Sequence, residues 1–206
     1  MNLALTACSQ SDEPTISLYL AIKRGDIDQI ERHINWGTNI NQINIDGQTP
    51  LHELAITGRI VAAKLLLKHG AEINKLNNAD ETALFLALKN GRTQLAKLLI
   101  TDFNADFKAT EILFKIINSN TSDRDVIEFL INNGAEINSH NEEGKTPLII
   151  AVENQQLLAV KHLIANHADV NVASKNNNLP LDIAEQTNNS NMITLLTRNG
   201  AQKTNN

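Results

Sequence analysis

Short apolar runs with helical spacing alternate with polar breaks rich in glycine and asparagine along nearly the whole of this chain. Two of the runs are Ala63-Lys-Leu-Leu-Leu-Lys-His before Gly70 and Val126-Ile-Glu-Phe-Leu-Ile-Asn-Asn before Gly134. A turn-like signature follows each run: Gly37-Thr-Asn-Ile-Asn, Gly70-Ala-Glu-Ile-Asn, Asn104-Ala-Asp-Phe-Lys, Gly134-Ala-Glu-Ile-Asn, His167-Ala-Asp-Val-Asn and Gly200-Ala-Gln-Lys-Thr. Glycine at its head can turn left-handed and stop a helix. The intervals are 33, 34, 30, 33 and 33 residues. A period of that length means one supersecondary unit stacked on itself six times, with insertions or deletions confined to about residues 100 to 120. A second signature lies further on in four of the units: Gly47-Gln-Thr-Pro-Leu-His, Glu81-Thr-Ala-Leu-Phe, Gly144-Lys-Thr-Pro-Leu-Ile and Asn178-Leu-Pro-Leu-Asp. Thr49 and Thr146 suit the cap of a new helix, and Pro50 and Pro147 its first turn, where a missing N–H costs nothing.

On these motifs the chain resembles the ankyrin-repeat family over roughly 190 residues, and Thr49-Pro50-Leu51-His52 with Gly58 is the strongest match. The resemblance implies an all-α solenoid of about six helix-turn-helix units with short β-hairpin tips. The units fall near 15–46, 47–79, 80–108, 109–142, 143–175 and 176–206. It also implies that His52 hydrogen-bonds between neighbouring repeats. Leu54 stands where the family has an alanine, which predicts wider helix spacing there. In the fourth unit the threonine-proline pair becomes Thr110-Glu111, the hairpin looks shortened, and Asn118-Ser-Asn-Thr-Ser-Asp-Arg enlarges the turn between helices. The stack is therefore predicted to be least regular at that point.

With 42% apolar but 3% aromatic residues, the core must be built from Leu, Ile and Ala in thin layers that no single repeat could bury alone. A net charge of −5 with interspersed signs gives no basic stripe and excludes a generic nucleic-acid binder. No stretch downstream approaches the ~18 apolar residues of a membrane span. Charge interrupts the apolar faces of the first unit at Lys23 to Asp28 and polar residues those of the last from Glu185, as in capping repeats, which predicts a monomer.

Leu5-Thr-Ala-Cys8 followed by Ser9 resembles the lipobox of bacterial lipoprotein signals, which implies lipidation of Cys8 and a polar tether over residues 9–14. Cys8 is the one cysteine of the chain, so no internal disulfide forms. Before it stand Leu3-Ala-Leu-Thr-Ala without Lys or Arg, short of a basic region and an apolar stretch of about 7–15 residues. Two readings stand. Met1 is internal to a longer precursor, giving a lipid-anchored periplasmic protein, or the segment begins a cytoplasmic capping helix.

Catalytic chemistry is not legible. Six histidines are scattered without a His-x-x-x-His pair, and the glycine-rich phosphate loops and Gly-x-Ser-x-Gly are absent. The carboxylate pairs Glu142-Glu143 and Asp123/Asp125 read as solvated charge. No catalytic residue, metal or cofactor is predicted.

In the family, partners contact the tips and the exposed face of the inner helices, a concave groove. The resemblance places Ile45, Asp46, Gln48, Asn78, Glu81, Glu142, Glu143 and Lys145 on the tips. It places Lys23, Arg24, Ile56, Thr57, Lys89, Asn90, Glu153 and Asn154 at the inner-helix ends. The first repeat is basic there and the fifth acidic, a polarity that would orient a partner. Ile45 and Ile56 are expected to be exposed and to carry contact energy, Trp36 to cover the first repeat, and Phe103 and Phe107 to pack at the shortened hairpin. The expected function is non-enzymatic binding of one protein partner, with no nucleic acid and with a membrane only through Cys8. The sharper expectation is a periplasmic immunity- or chaperone-like protein that neutralises or assists a toxic enzyme such as a lipase. A scaffold for a periplasmic enzyme and a translocated effector binding host proteins are the alternatives.

Overall fold

Thr82 shows how the sequence starts a helix: its hydroxyl accepts the N–H of Phe85 at 3.2 Å, and Thr146 does the same for Ile149 at 3.2 Å. The computed structural model describes residues 13–204, so Cys8 and the lipobox-like stretch lie outside the described residues. Among these, twelve helices form: α1 Leu18–Arg24, α2 Ile27–Asn35, α3 Pro50–Thr57, α4 Ile60–Lys68, α5 Ala83–Lys89, α6 Thr93–Thr101, α7 Ala109–Asn118, α8 Arg124–Asn132, α9 Pro147–Glu153, α10 Leu157–Ala165, α11 Pro180–Gln186 and α12 Ser190–Arg198. They make six antiparallel pairs. Two compact units divide after Asp106. In the first, α1, α3 and α5 pack in succession, with α2, α4 and α6 as the outer row; in the second, α7, α9 and α11 pack with α8, α10 and α12 outside them.

Each unit has its own aliphatic core. Ile22, Leu54, Leu66, Leu88 and Leu99 are fully buried in the first, and Leu113, Ile116, Leu130, Leu163 and Leu196 in the second. The outer helices end on a left-handed residue, Gly70 with φ 91° and Gly134 with φ 95°. His167 and Asn104 hold the same turn at φ 68° and φ 53°, where a side chain costs about 1–2 kcal/mol.

The asparagine at the fifth position of four turn signatures ties one repeat to the next. Asn41 Oδ1 accepts the N–H of Glu72 at 2.8 Å and its Nδ2 donates to the carbonyl of Gly70 at 3.0 Å. Asn74 accepts from Asp106, Asn138 from Asp169 and Asn171 from Gln202. Asn41→Ala is expected to lower stability by about 1–2 kcal/mol, the net worth of two hydrogen bonds. Urea unfolding of the full chain reads it as an earlier midpoint.

The tips are turns, and no strand forms among the described residues. The N–H of Asn44 reaches the carbonyl of Gln48 at 3.0 Å, but the N–H of Gln48 returns to the Asn44 side chain at 2.9 Å. Asn77 with Glu81 and Asn141 with Lys145 repeat this. A side-chain oxygen replaces the second rung, which leaves one hairpin-like bond per tip and nothing to extend into a ladder.

Two expectations need correction. In the fourth unit the tip is absent rather than shortened: α7 starts at Ala109, directly after Asn104-Ala-Asp-Phe-Lys. Thr110 consequently lies in the first turn of α7 instead of capping it, and its hydroxyl takes the ladder position, accepting the N–H of Glu136 at 2.9 Å. The enlarged turn between α7 and α8 is present at residues 119–123. Phe107 packs edge-on against Phe129, with ring centroids 6.5 Å apart. Trp36 does not cover the first repeat; it is the C-cap of α2 and 57% exposed.

Candidate protein-binding surface

The tips of the first unit are held rigidly from below. His52 on α3 accepts the N–H of Thr49 on Nδ1 at 3.0 Å, and Nε2 donates to the carbonyl of Glu81 in the next tip at 3.1 Å. The acceptor role of Nδ1 fixes the neutral Nε2–H tautomer. Burial lowers the His52 pKa, against hydrogen bonds to the carbonyls of Glu81 and Lys75 that work to raise it. Tyr19 fills the corresponding place on α1. Its hydroxyl lies 2.8 Å from the carbonyl of Gln42 and 2.5 Å from that of Gln48. Burial first, and the nearby charge of Glu53 second, push its pKa up to about 12. The period of 33 from Tyr19 to His52 was the signal that could have marked Tyr19.

Neighbouring tips are also joined to each other. The N–H of Asn78 donates to the carbonyl of Asp46 at 3.2 Å, and Nδ2 of Asn78 to that of Ile45 at 3.3 Å. On this fixed backbone Ile45 is 94% exposed, Ile43 58% and Leu76 53%. Large apolar side chains clustered in water mark interaction sites. Sequence reading named Ile45 and missed Ile43 and Leu76, which occupy equivalent positions in adjacent tips. The expected exposure of Ile56 is corrected: it is half-buried, and its carbonyl accepts from Arg92 at the start of α6 at 3.2 Å.

Many of the remaining predicted residues spend their polar groups on one another. Lys89 Nζ lies 2.8 Å from Glu81 and 5.8 Å from the Phe85 ring centroid. Burial works to raise the Glu81 pKa, but hydrogen bonds from Lys89 and Asn77 outweigh it and hold it low. The Thr57 hydroxyl donates to the carbonyl of Glu53 at 2.9 Å, and the Asn90 amide to that of Leu86 at 2.8 Å. Lys23, Arg24, Asp46 and Asn78 are exposed and Gln48 half-buried.

In the second unit Lys145 bridges Glu153 at 2.9 Å and Glu143 at 3.2 Å, and the hydrogen bonds it donates to those carboxylates, Glu153 foremost, raise its pKa. The acidic fifth repeat is thus partly neutralised by its own lysine, while Glu142 makes no ion pair among the described residues. Asn154 is exposed. Among the described residues no cluster of His, Cys, Asp or Glu could hold a metal ion, and no helix is long and apolar enough to cross a membrane.

The family described as ankyrin repeats in three copies matches residues 18–111 and again residues 113–206. Among solved structures, the human ASB11 ankyrin repeat domain is 27% identical, with a TM-score of 0.70 over 91% of this chain and 85% of that one. The ankyrin repeat domain of Bcl-3, described as a unique member of the IkappaB protein family, is 25% identical, with a TM-score of 0.71 over 92% and 88%. A chain in the structure of the Bd0816 predatory endopeptidase from Bdellovibrio bacteriovorus in complex with immunity protein Bd3460 is 22% identical, with a TM-score of 0.67 over 90% and 99%, a likeness of fold alone. No curated protein matches.

Proposed function

Because the chain belongs to the ankyrin-repeat family, whose repeats are protein-interaction modules, we propose that it binds one partner protein through the tips of its first unit. The observation that carries this is the exposure of three large apolar side chains, Ile43, Ile45 and Leu76, on adjacent tips whose backbones are cross-linked by Asn78. Exposed apolar area of this kind gains about 25 cal/mol per Å² when covered, and rigid tips lose little entropy on binding.

The sharper reading is an immunity- or chaperone-like protein, acting in the periplasm, that neutralises or assists a toxic effector enzyme. Its supports are the lipobox-like stretch ending at Cys8 and a fold that also occurs in an endopeptidase–immunity complex. The test is capture from native cells with tagged full chain carrying Cys8→Ser, beside the same chain carrying Ile45→Asp. One stoichiometric partner, lost with the aspartate, is the expected result. A partner retained equally by both chains overturns the assignment to the tips. For the sharper reading, deletion of the gene is expected to sensitise cells to their siblings, and unchanged resistance removes it.

A further inference from the structure

Signs that are mixed along the chain separate between the outer helices of the first unit. Arg59 and Arg92 stand at the starts of α4 and α6, Lys64 and Lys68 follow on α4 and Lys97 on α6, and neither helix contains a carboxylate. In a chain of net charge −5 this is a local reversal. The acidic residues Asp26, Asp28 and Glu31 belong to α2 and its cap, one repeat earlier, and Asp26 is committed to the N–H of Gln29. The two arginines are held without losing their charge. Nη2 of Arg59 donates to the carbonyl of Lys23 at 3.0 Å and Nε of Arg92 to that of Ile56 at 3.2 Å, and the buried Nε of Arg59 has no partner. Lys64 meets Asp102 at 3.8 Å between half-exposed groups, a pairing worth little. Arg59, Lys68, Arg92 and Lys97 form no ion pair among the described residues, so the unmatched charge is positive.

Aliphatic surface lies among these cations. Val61 is 68% exposed and Ile60 38%, and positions 61, 64 and 68 share one face of α4. Beside them a groove of about 240 Å³ runs between Ile27 and Arg59. That is below the ~300 Å³ at which pockets enclose small molecules, so it takes a single side chain. We propose that the outer face of α4 and α6 is a second docking surface, and that it receives an acidic segment of a protein in which carboxylates flank an aliphatic residue. The carboxylates pair with the lysines and guanidiniums, the aliphatic side chain enters the groove, and the opposite charges set the register. A protein is the occupant because the repeats of this family are protein-interaction modules. Ile60 and Val61 also call for an apolar counterpart that a nucleic-acid backbone lacks. The tips precede the inner helices, so the two surfaces share no residue, and a chain occupied at both joins two proteins.

The probe is a phage-displayed library of random dodecapeptides, selected on the full chain carrying Ile45→Asp so that the tip contact does not compete. Enriched peptides are expected to carry an excess of Asp and Glu beside Leu, Ile or Val, and to bind more weakly as salt rises. They are expected to bind the chain that also carries Lys64→Glu and Lys97→Glu at least about tenfold more weakly. Both lysines are exposed, so that variant keeps the fold, which circular dichroism checks. Neutral or basic enriched peptides, equal binding to the charge-reversed chain, or no enrichment each overturn the proposal. Phosphatidylglycerol vesicles and random-sequence duplex DNA are offered in parallel. Binding of either one, abolished by the two reversals and without acidic peptides, gives the face to lipid or nucleic acid and likewise overturns it. Since the bait lacks Ile45, the result stands apart from the fate of the tip interface.

Discussion

A chain in which Ile43 and Ile45 are both aspartate is expected to bind its partner protein at least about 100-fold more weakly while remaining folded. Each isoleucine covered in a complex contributes about 1.5–3 kcal/mol, and each aspartate put in its place must be desolvated without a partner charge. Two such changes exceed the ~2.7 kcal/mol that corresponds to a hundredfold in affinity. The fold has little to lose, because Ile45 is 94% exposed and its carbonyl, which binds Asn78, is unchanged by the substitution. Titration calorimetry against the captured partner measures the loss, and far-ultraviolet circular dichroism checks the helices. Undiminished binding by a folded double variant would place the interface elsewhere.

The second large effect is on stability. His52→Ala is expected to destabilise the first unit by roughly 2–4 kcal/mol, combining a buried polar group left unpaired with a cavity. His52 is 1% exposed, and the change removes the acceptor of the Thr49 N–H and one of the two donors to the Glu81 carbonyl, which keeps the Asn77 N–H. A pH dependence follows from the lowered pKa. The unfolded His52 titrates near its ordinary 6.5 and the folded one below it. Between the two the unfolded state holds more protons, so stability rises with pH. The contribution is complete above 6.5 and is lost as pH falls from there through the folded pKa. The cause is burial of a ring whose Nδ1 already faces the Thr49 N–H, so a proton there meets another donor. Chemical unfolding from neutral to mildly acidic pH should show a shallower decline for His52→Gln than for the unaltered chain. Equal declines would assign the slope to other groups.

How much of this was readable without coordinates varies from residue to residue. Thr146, Pro147 and Gly134 act locally, through a cap, a first turn and a left-handed stop, and each does what its type and spacing dictate. Ile45 stands at a tip whose geometry is set within a few residues by Asn44, so its exposure was legible too. The half-burial of Ile56 was not, because it depends on how neighbouring repeats pack. The same holds for charge. Lys145 reads as one cation among acids, but its neutralising effect depends on Glu143 and Glu153 lying within reach at once. Tyr19 belongs to none of the motifs, and its part in holding the tip depends on the carbonyls of Gln42 and Gln48 reaching its hydroxyl.

The fourth unit shows the boundary most sharply. Spacing alone revealed an irregularity between Asn104 and Gly134, since a period is counted along the chain. It could not show that the lost residues were the whole tip and that the gained ones lengthened the turn after α7. Both changes alter the count, and only the start of α7 at Ala109 separates them. The sequence by itself determined the repeat, the helix pairs and their caps, because these follow from short-range propensity and periodicity, and its resemblance to the ankyrin-repeat family implied the class of function. The tertiary structure alone decided which apolar residues face water, which charges are already matched, and that the fourth unit lacks its tip. Those depend on contacts between repeats, where residues about 30 positions apart meet and no local rule fixes the outcome.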